Sequence, residues 1–222
     1  MRKKKRLTLV LLLFLIFSSY NPEKFRVQQN FYLSIKKIII EETVAVDVNQ
    51  LREELKFLIE KNILFLDKEE IKKVLGKYDF ISNVKIKKIF PKTVKIIIVE
   101  EQPIGILHYD RKKFYISSNG KKIKYKEIYK YKNLPLVFGN QNNFYLFYKE
   151  LQEINFPIGK VKEFYFFEIN RWDVVMNNNK ILKLPVNSYK KIAKNFTTIL
   201  NDVNFDKYQI FDYRIENQLI LK

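Results

Sequence analysis

The chain of 222 residues has no cysteine, one histidine and five glycines. Without cysteine it can form no disulfide, no thiol nucleophile and no cysteine-ligated zinc site. A single histidine, His108, excludes HExxH and any metal site that needs two histidines. The glycines lie too far apart for GxGxxG, GxxxxGK[ST] or GxSxG. These missing residues and motifs exclude most familiar enzyme families. We predict no catalytic residue, no metal and no cofactor.

Arginine is also scarce, although the chain is strongly basic. The formal net charge is +18, from 42 lysines and arginines against 24 acidic residues, and lysine outnumbers arginine 35 to 7. A basic surplus is typical of nucleic-acid binders, but base and phosphate recognition favours the planar arginine fork. We therefore attribute most of the surplus to a compositional drift towards lysine, and we predict no nucleic-acid partner.

The N-terminus combines a charged head with an apolar run. Five basic residues at 2–6 precede Leu7–Phe17, and Asn21-Pro22 ends the segment. This pattern fits either a membrane anchor or a cleaved signal peptide. No pair of small residues has cleavage-site spacing near Ser18, which favours an uncleaved anchor at 7–20. The positive-inside rule places the tail, 1–6, in the cytoplasm and the bulk of the chain in the periplasm.

After a polar linker, 21–30, the sequence predicts a compact α+β domain at 31–103. Phe31–Ile40 has the composition of a strand. Two helices follow, the second with Asp67 as its N-cap in a capping box closed by Glu70. Alternating apolar residues between 84 and 101 then indicate two strands. The order β-α-α-β-β predicts a three-stranded sheet with both helices on one face.

Residues 104–222 are predicted to form a second domain, of mixed α/β type and built on an antiparallel sheet. Short strands around hairpin turns alternate with two helices, the second of them capped at Ser188. Asn217–Lys222 is predicted to be the final strand. Because nothing follows it in the sequence, we expect it to lie at an open sheet edge.

Some single residues have a structural and a functional interpretation. His108 is interpreted as a core or strand-end residue, and Trp172 as a core aromatic rather than an interface anchor. Asp212 and Arg214 lie two apart on a predicted strand, so they share a face. They suit either an ion pair within the domain or a contact with a partner, and the sequence leaves both open.

Several short motifs together resemble the POTRA-containing FtsQ/DivIB family of bacterial cell-division proteins. The resemblance spans essentially the whole chain, and its order and spacing are more specific than any one motif. The motifs are Phe90-Pro91-Lys92-Thr93-Val94, Glu101-Gln102-Pro103, Asn133-Leu134-Pro135-Leu136-Val137-Phe138-Gly139, Leu184-Pro185 and Asp212-Tyr213-Arg214. Gln102 stands where the family often has a basic residue.

This resemblance implies a non-enzymatic divisome scaffold of the inner membrane, located at the division septum. Such a protein links early and late division proteins and recruits the coiled-coil partners FtsB and FtsL, and other divisome proteins through its POTRA domain, with no small-molecule substrate. The alternative is a POTRA-type assembly factor for outer-membrane or secreted proteins, although the chain has no room for the C-terminal barrel those proteins carry. An envelope hydrolase and a membrane-tethered nucleic-acid binder are weaker alternatives.

We predict that the partner pairs with the final strand by β-augmentation, since an exposed strand edge presents unpaired backbone groups. Tyr213, Leu219 and Leu221 are expected either to anchor the partner or to face the core, and the sequence does not decide between the two. The predicted partner-binding residues are Tyr213, Arg214, Ile215, Gln218, Leu219, Ile220 and Leu221.

Overall fold

A computed structural model describes residue 14 and residues 33–200, 202–215 and 218–222. Apart from Phe14, the predicted tail, anchor and linker lie outside these residues. Within the described ranges, no helix combines the length and the hydropathy that a membrane span requires. The chain divides into two compact units, with the boundary between Val99 and Glu100.

The first unit has the predicted order of strands and helices. The elements are β1 (Lys37–Ile40), α1 (Val48–Glu54), α2 (Lys68–Leu75), β2 (Ile81–Ile89) and β3 (Thr93–Glu100). Strands β1 and β3 are parallel, and the sheet order is β1-β3-β2. The first strand is shorter than predicted: it begins at Lys37, and Ser34 before it forms an isolated bridge with Asn62.

The two helices bury one apolar face each. Leu51 and Ile71 are fully buried, as are Val94 and Ile96 on β3. The side chain of Asp67 accepts a hydrogen bond from the Glu69 N–H, as an N-cap residue does. The predicted capping box is wrong in its second half, because the Glu70 carboxylate pairs with Lys61 at 2.8 Å.

The second unit is built on a nine-stranded sheet. Its strands are β4 (Pro103–Tyr109), β5 (Lys112–Ser117), β6 (Lys122–Lys124), β7 (Leu136–Phe138), β8 (Val161–Phe167), β9 (Arg171–Met176), β10 (Ile181–Lys183), β11 (Ile210–Asp212) and β12 (Ile220–Leu221). They lie in the order β12-β11-β10-β9-β8-β7-β4-β5-β6. Its helices are α3 (Gln141–Glu153) and α4 (Tyr189–Ile199).

This sheet is mixed, so the predicted antiparallel sheet is wrong. The pairs β4–β7, β7–β8 and β10–β11 are parallel. Parallel neighbours need a long crossover, and helices commonly supply it. Here α3 connects β7 to β8 and α4 connects β10 to β11. The hairpin turns that supported the prediction account only for the neighbouring antiparallel pairs.

Aromatic residues fill the core of the second unit. Phe144, Phe164 and Phe211 are fully buried. The Trp172 ring stacks on that of Phe147 with centroids 4.7 Å apart, which confirms its assignment to the core. Ser188 precedes α4 as predicted, but its φ is +61° and its side chain makes no capping hydrogen bond.

Candidate partner-binding surface

The predicted partner-binding residues lie at and beside one end of the nine-stranded sheet. Strand β12 pairs antiparallel with β11, placing Leu221 opposite Phe211 and Ile220 opposite Asp212. Because β12 is last in the strand order, it has a neighbouring strand on one side only among the described residues. The strand is shorter than predicted: it begins at Ile220, and Asn217 lies outside the described residues.

Hydrogen bonds next to this pair determine which backbone groups face outwards. The Lys222 N–H donates to the Ile210 carbonyl at 3.1 Å, and the Ile210 N–H donates to the Lys222 carbonyl at 3.0 Å. In an antiparallel pair, hydrogen-bonded and non-hydrogen-bonded positions alternate. The backbone N–H and C=O of Leu221 therefore point away from β11, towards the open side of the sheet.

The side chains of this segment divide between core and surface. Tyr213, Leu219 and Leu221 are partly buried and pack against the core of the unit. Ile215 and Ile220 are exposed. Of the two possibilities left open by the sequence, the structure places the tyrosine and both leucines against the core. The surface instead presents Ile215 and Ile220.

Asp212 and Arg214 form the ion pair within the domain. The Arg214 guanidinium donates from Nε to Asp212 Oδ1 at 2.8 Å and from Nη2 to Asp212 Oδ2 at 2.6 Å. The Arg214 backbone N–H also donates to the same carboxylate, at 3.1 Å. These bonds from Arg214 hold the pKa of Asp212 below its usual range, because they stabilise the ionised carboxylate. The pair fixes the turn that follows β11.

A row of charged residues crosses three strands beside this ion pair. Register places Asp173 of β9 opposite Lys183 of β10, and Lys183 opposite Asp212 of β11. Both carboxylates are buried. Burial raises the pKa of Asp173, while Arg171 and Lys183 act in the opposite direction. The row gives this end of the sheet a fixed pattern of alternating charge.

A groove of about 530 Å³ lies beside the segment that joins β11 to β12. One wall of the groove is this segment, and the other is formed by residues between Pro185 and Asn195. Sequence reasoning missed the second wall, because these residues are far from the segment in the chain. The crossover through α4 brings these residues beside β11, since parallel strands β10 and β11 end on the same side of the sheet. The groove is lined by Pro185, Val186, Asn187, Ser188, Lys191, Ile192, Asn195, Tyr213, Arg214, Ile215, Gln218 and Leu219.

The remaining candidates lie elsewhere in the second unit. His108 is near the end of β4, and its ring centroid lies 5.0 Å from that of Phe138. Burial lowers the pKa of His108, with a smaller contribution from Lys113. Glu101 is buried, 3.8 Å from the Lys121 ammonium. Among the described residues, no group of three or more metal-ligating side chains comes together.

Comparisons with known proteins identify a domain and a set of relatives. The family described as "POTRA domain, FtsQ-type" matches residues 33–101. The chain is 27% identical over 193 residues to the "Cell division protein FtsQ" of Rickettsia conorii, a match that covers 85% of this chain and 72% of that protein. It is also 27% identical over 126 residues to the protein of the same name from Rhizobium meliloti.

The Rhizobium meliloti match spans 56% of this chain and less than half, 41%, of that relative. Among solved structures, the major extracytoplasmic domain of the cell-division protein DivIB from Geobacillus stearothermophilus matches with 14% identity and a TM-score of 0.34. That match covers 49% of this chain and 98% of the DivIB domain.

Proposed function

Because the chain belongs to the FtsQ/DivIB family of bacterial cell-division proteins, we propose that it is a non-enzymatic scaffold of the divisome. In this role it links early and late division proteins at the septum. It recruits FtsB-like and FtsL-like coiled-coil proteins, and other divisome proteins bind its POTRA domain.

The proposal includes a single-pass topology in the inner membrane. Residues 1–6 lie in the cytoplasm and 7–20 form the anchor, with a POTRA domain at 31–103 and a C-terminal domain at 104–222 in the periplasm. Support for the orientation comes from the charges. Five basic residues precede the apolar run, whereas only Lys24 and Arg26 occur in the ten residues after it.

One observation carries the proposed mode of recruitment: the outward backbone N–H and C=O of Leu221. A partner strand that pairs with β12 satisfies both groups and extends the sheet. The exposed Ile220 side chain gives this strand an apolar contact. The adjacent groove, between Tyr213 and Lys191, is placed to receive a side chain that precedes or follows the paired segment of the partner.

The experiment replaces single backbone amides by esters in the full-length chain. An ester at Leu221 removes the outward N–H donor and keeps the leucine side chain. The matched control is an ester at Lys222, whose N–H points inwards to Ile210. We expect the Leu221 ester to weaken binding of the periplasmic segment of an FtsB-like protein by about 2- to 12-fold, the equivalent of one net hydrogen bond.

Unfolding measurements separate binding from stability. The Leu221 ester should lower the free energy of unfolding by less than one net hydrogen bond. The lost donor has no partner strand among the described residues, and the ester only weakens the Ile220 carbonyl, which lies opposite Asp212. The Lys222 ester should lower the free energy of unfolding by about 0.5–1.5 kcal/mol. Because it also turns the Leu221 carbonyl into a weaker ester acceptor, it should reduce the affinity of the folded protein, but by less than the Leu221 ester does. Equal affinity of the two ester variants and the unmodified chain would overturn the proposal.

A further inference from the structure

Four large apolar side chains are exposed together at one end of the first unit. Leu64 and Phe65 lie in the loop before α2, and Ile89 and Phe90 lie at the turn from β2 to β3. Their exposed fractions are 45% and 83% for the first pair and 44% and 56% for the second. We call these four residues the apolar tip. Scattered exposed apolar residues are common, but a cluster of them indicates a contact surface.

Hydrogen bonds hold the two loops of the apolar tip together. The Lys88 ammonium donates to the Leu64 carbonyl at 2.8 Å, which joins the β2–β3 turn to the loop before α2. The Leu64 N–H is itself held by the Asn62 side chain at 2.9 Å. The tip is therefore a defined surface formed by two fixed loops.

The apolar tip is at the same end of the unit as Leu33, where the continuous described range 33–200 begins. The Ile63 N–H donates to the Leu33 carbonyl at 2.9 Å, and the Lys36 N–H donates to the Lys92 carbonyl at 2.9 Å. Both loops of the tip are thus tied to residues 33–36. The predicted anchor and linker precede these residues in the sequence, so an anchor at 7–20 would place this end of the unit towards the membrane.

We propose that the apolar tip docks on the surface of the bilayer that holds the anchor, with Phe65 and Phe90 among the lipid headgroups. The charges around it fit an anionic phospholipid surface. Lys88 is held by a neutral carbonyl, so its positive charge is not compensated by that contact. Exposed Lys37 lies on β1 opposite Thr93, which follows the β2–β3 turn. Its neighbour Lys36 is paired with Glu60 at 2.6 Å and adds no uncompensated charge. Apolar side chains flanked by lysines are typical of surfaces that bind this interface.

Because the proposed anchor and linker hold the first unit near the bilayer, even a low intrinsic affinity for lipid is enough for docking. Residues 21–32, when fully extended, reach at most about 40 Å, so the anchor confines the first unit close to the bilayer. A tethered surface binds at a high effective concentration and needs little intrinsic affinity. This inference rests on the membrane anchoring proposed above, and the experiment below separates the two.

The absence of native cysteine allows a site-specific test. The Phe65→Cys chain, labelled with an environment-sensitive dye and reconstituted at full length in nanodiscs containing phosphatidylglycerol, should show a blue-shifted emission. Lipids carrying a spin label should quench this emission. The matched control is Val44→Cys, which is 47% exposed and follows the opposite end of β1. Its emission should be neither shifted nor quenched.

A second set of measurements changes the charge of the lipid or of the apolar tip. Phosphatidylcholine nanodiscs, or Lys88→Glu in the Phe65→Cys background, should reduce the quenching. A chain that incorporates while its Phe65→Cys label stays unquenched overturns the inference alone. A blue shift without lipid quenching means that the tip packs on protein and also overturns it. A chain that fails to incorporate overturns the anchoring, and the inference with it.

Discussion

The two edge strands of the nine-stranded sheet differ in what they offer to another strand. At one edge, β6 exposes Lys122 and Lys124 on either side of the fully buried Ile123. At the other edge, β12 exposes Ile220. Lysines on an edge strand oppose pairing with a further strand, because pairing would bring their charges together with the incoming backbone. The chain therefore protects one edge and leaves the other available.

The contacts of Lys122 strengthen this contrast. Its ammonium lies 4.0 Å from the ring centroid of Phe114 and 5.0 Å from that of Tyr109. Cation–π contacts of this kind hold a lysine in place over the sheet. Beside β12, the Asp212–Arg214 ion pair joins the end of β11 to the residues that follow it. A partner strand that pairs with β12 meets no lysine within Ile220–Leu221, whereas at β6 it meets Lys122 and Lys124.

The largest effect is expected from a core substitution in β11, the strand that pairs with β12. Phe211 of β11 is fully buried, and its ring centroid lies 5.2 Å from that of Phe196. Phe211→Ala should lower the free energy of unfolding by about 3–5 kcal/mol, because it leaves a cavity in the core. Chemical denaturation followed by circular dichroism measures this loss. Partner binding should be lost with it, because β12 pairs only with β11 among the described residues.

Ile123→Ala, at the protected edge, is the matched control for this variant. It also removes a fully buried side chain, and it should cost about 2–5 kcal/mol. Its folded fraction should bind the partner as the unmodified chain does. Loss of binding in the folded Ile123→Ala protein would mean that β6 contributes to the interface, and the comparison of the two edges would fail.

A smaller effect is expected when β12 is given an exposed lysine like those on β6. Ile220→Lys should weaken partner binding about tenfold, equivalent to about 1.4 kcal/mol, because it places a lysine on the edge. Since the side chain is 37% exposed, we expect the free energy of unfolding to change by no more than about 0.5 kcal/mol. Isothermal titration calorimetry measures the affinity.

Val203→Lys controls for the added charge itself. Val203 is exposed in the same unit and lies outside both edge strands. Equal weakening by Val203→Lys and Ile220→Lys would attribute the effect to net charge, and it would remove the edge from the explanation.

The smallest expected effect concerns pH. Hydrogen bonds from Arg214 lower the pKa of Asp212 in the folded protein. The ion pair therefore stabilises the fold above the pKa that Asp212 has in the unfolded chain, and this stability is lost as the pH falls through the lowered, folded pKa. Asp212→Asn should flatten the acid side of the stability profile. Thermal unfolding between neutral and strongly acidic pH measures it, and an unchanged acid slope would contradict the assignment.

Sequence reasoning succeeded where neighbouring elements in the chain are also neighbours in space. The first unit is of this kind, and the two helices predicted there are present and bury Leu51 and Ile71. The ion pair of Asp212 and Arg214 was among the predicted possibilities for the same reason, since two residues on one strand face share their surroundings. In both cases the pattern of residues within one short segment was enough to predict the structure.

Sequence reasoning failed where segments that are distant in the chain pair with each other. Two of the three parallel pairs of the second sheet, β7–β8 and β10–β11, depend on crossovers through α3 and α4, which no hairpin signal indicates. The groove wall at Val186 and Lys191 was missed because it meets Tyr213 only through the α4 crossover. The burial of Leu219 and Leu221 could not be decided from alternation alone, because alternation separates two faces of a strand without saying which face meets the core.

The most direct test of the account is amide hydrogen exchange at the two sheet edges, followed by NMR with and without the periplasmic segment of an FtsB-like partner. Pairing on β12 predicts that the outward Leu221 amide becomes protected in the complex, while the amides of Lys122 and Lys124 exchange at the same rate as in the free protein. A complex in which Leu221 stays unprotected, or in which β6 gains the protection, would contradict it.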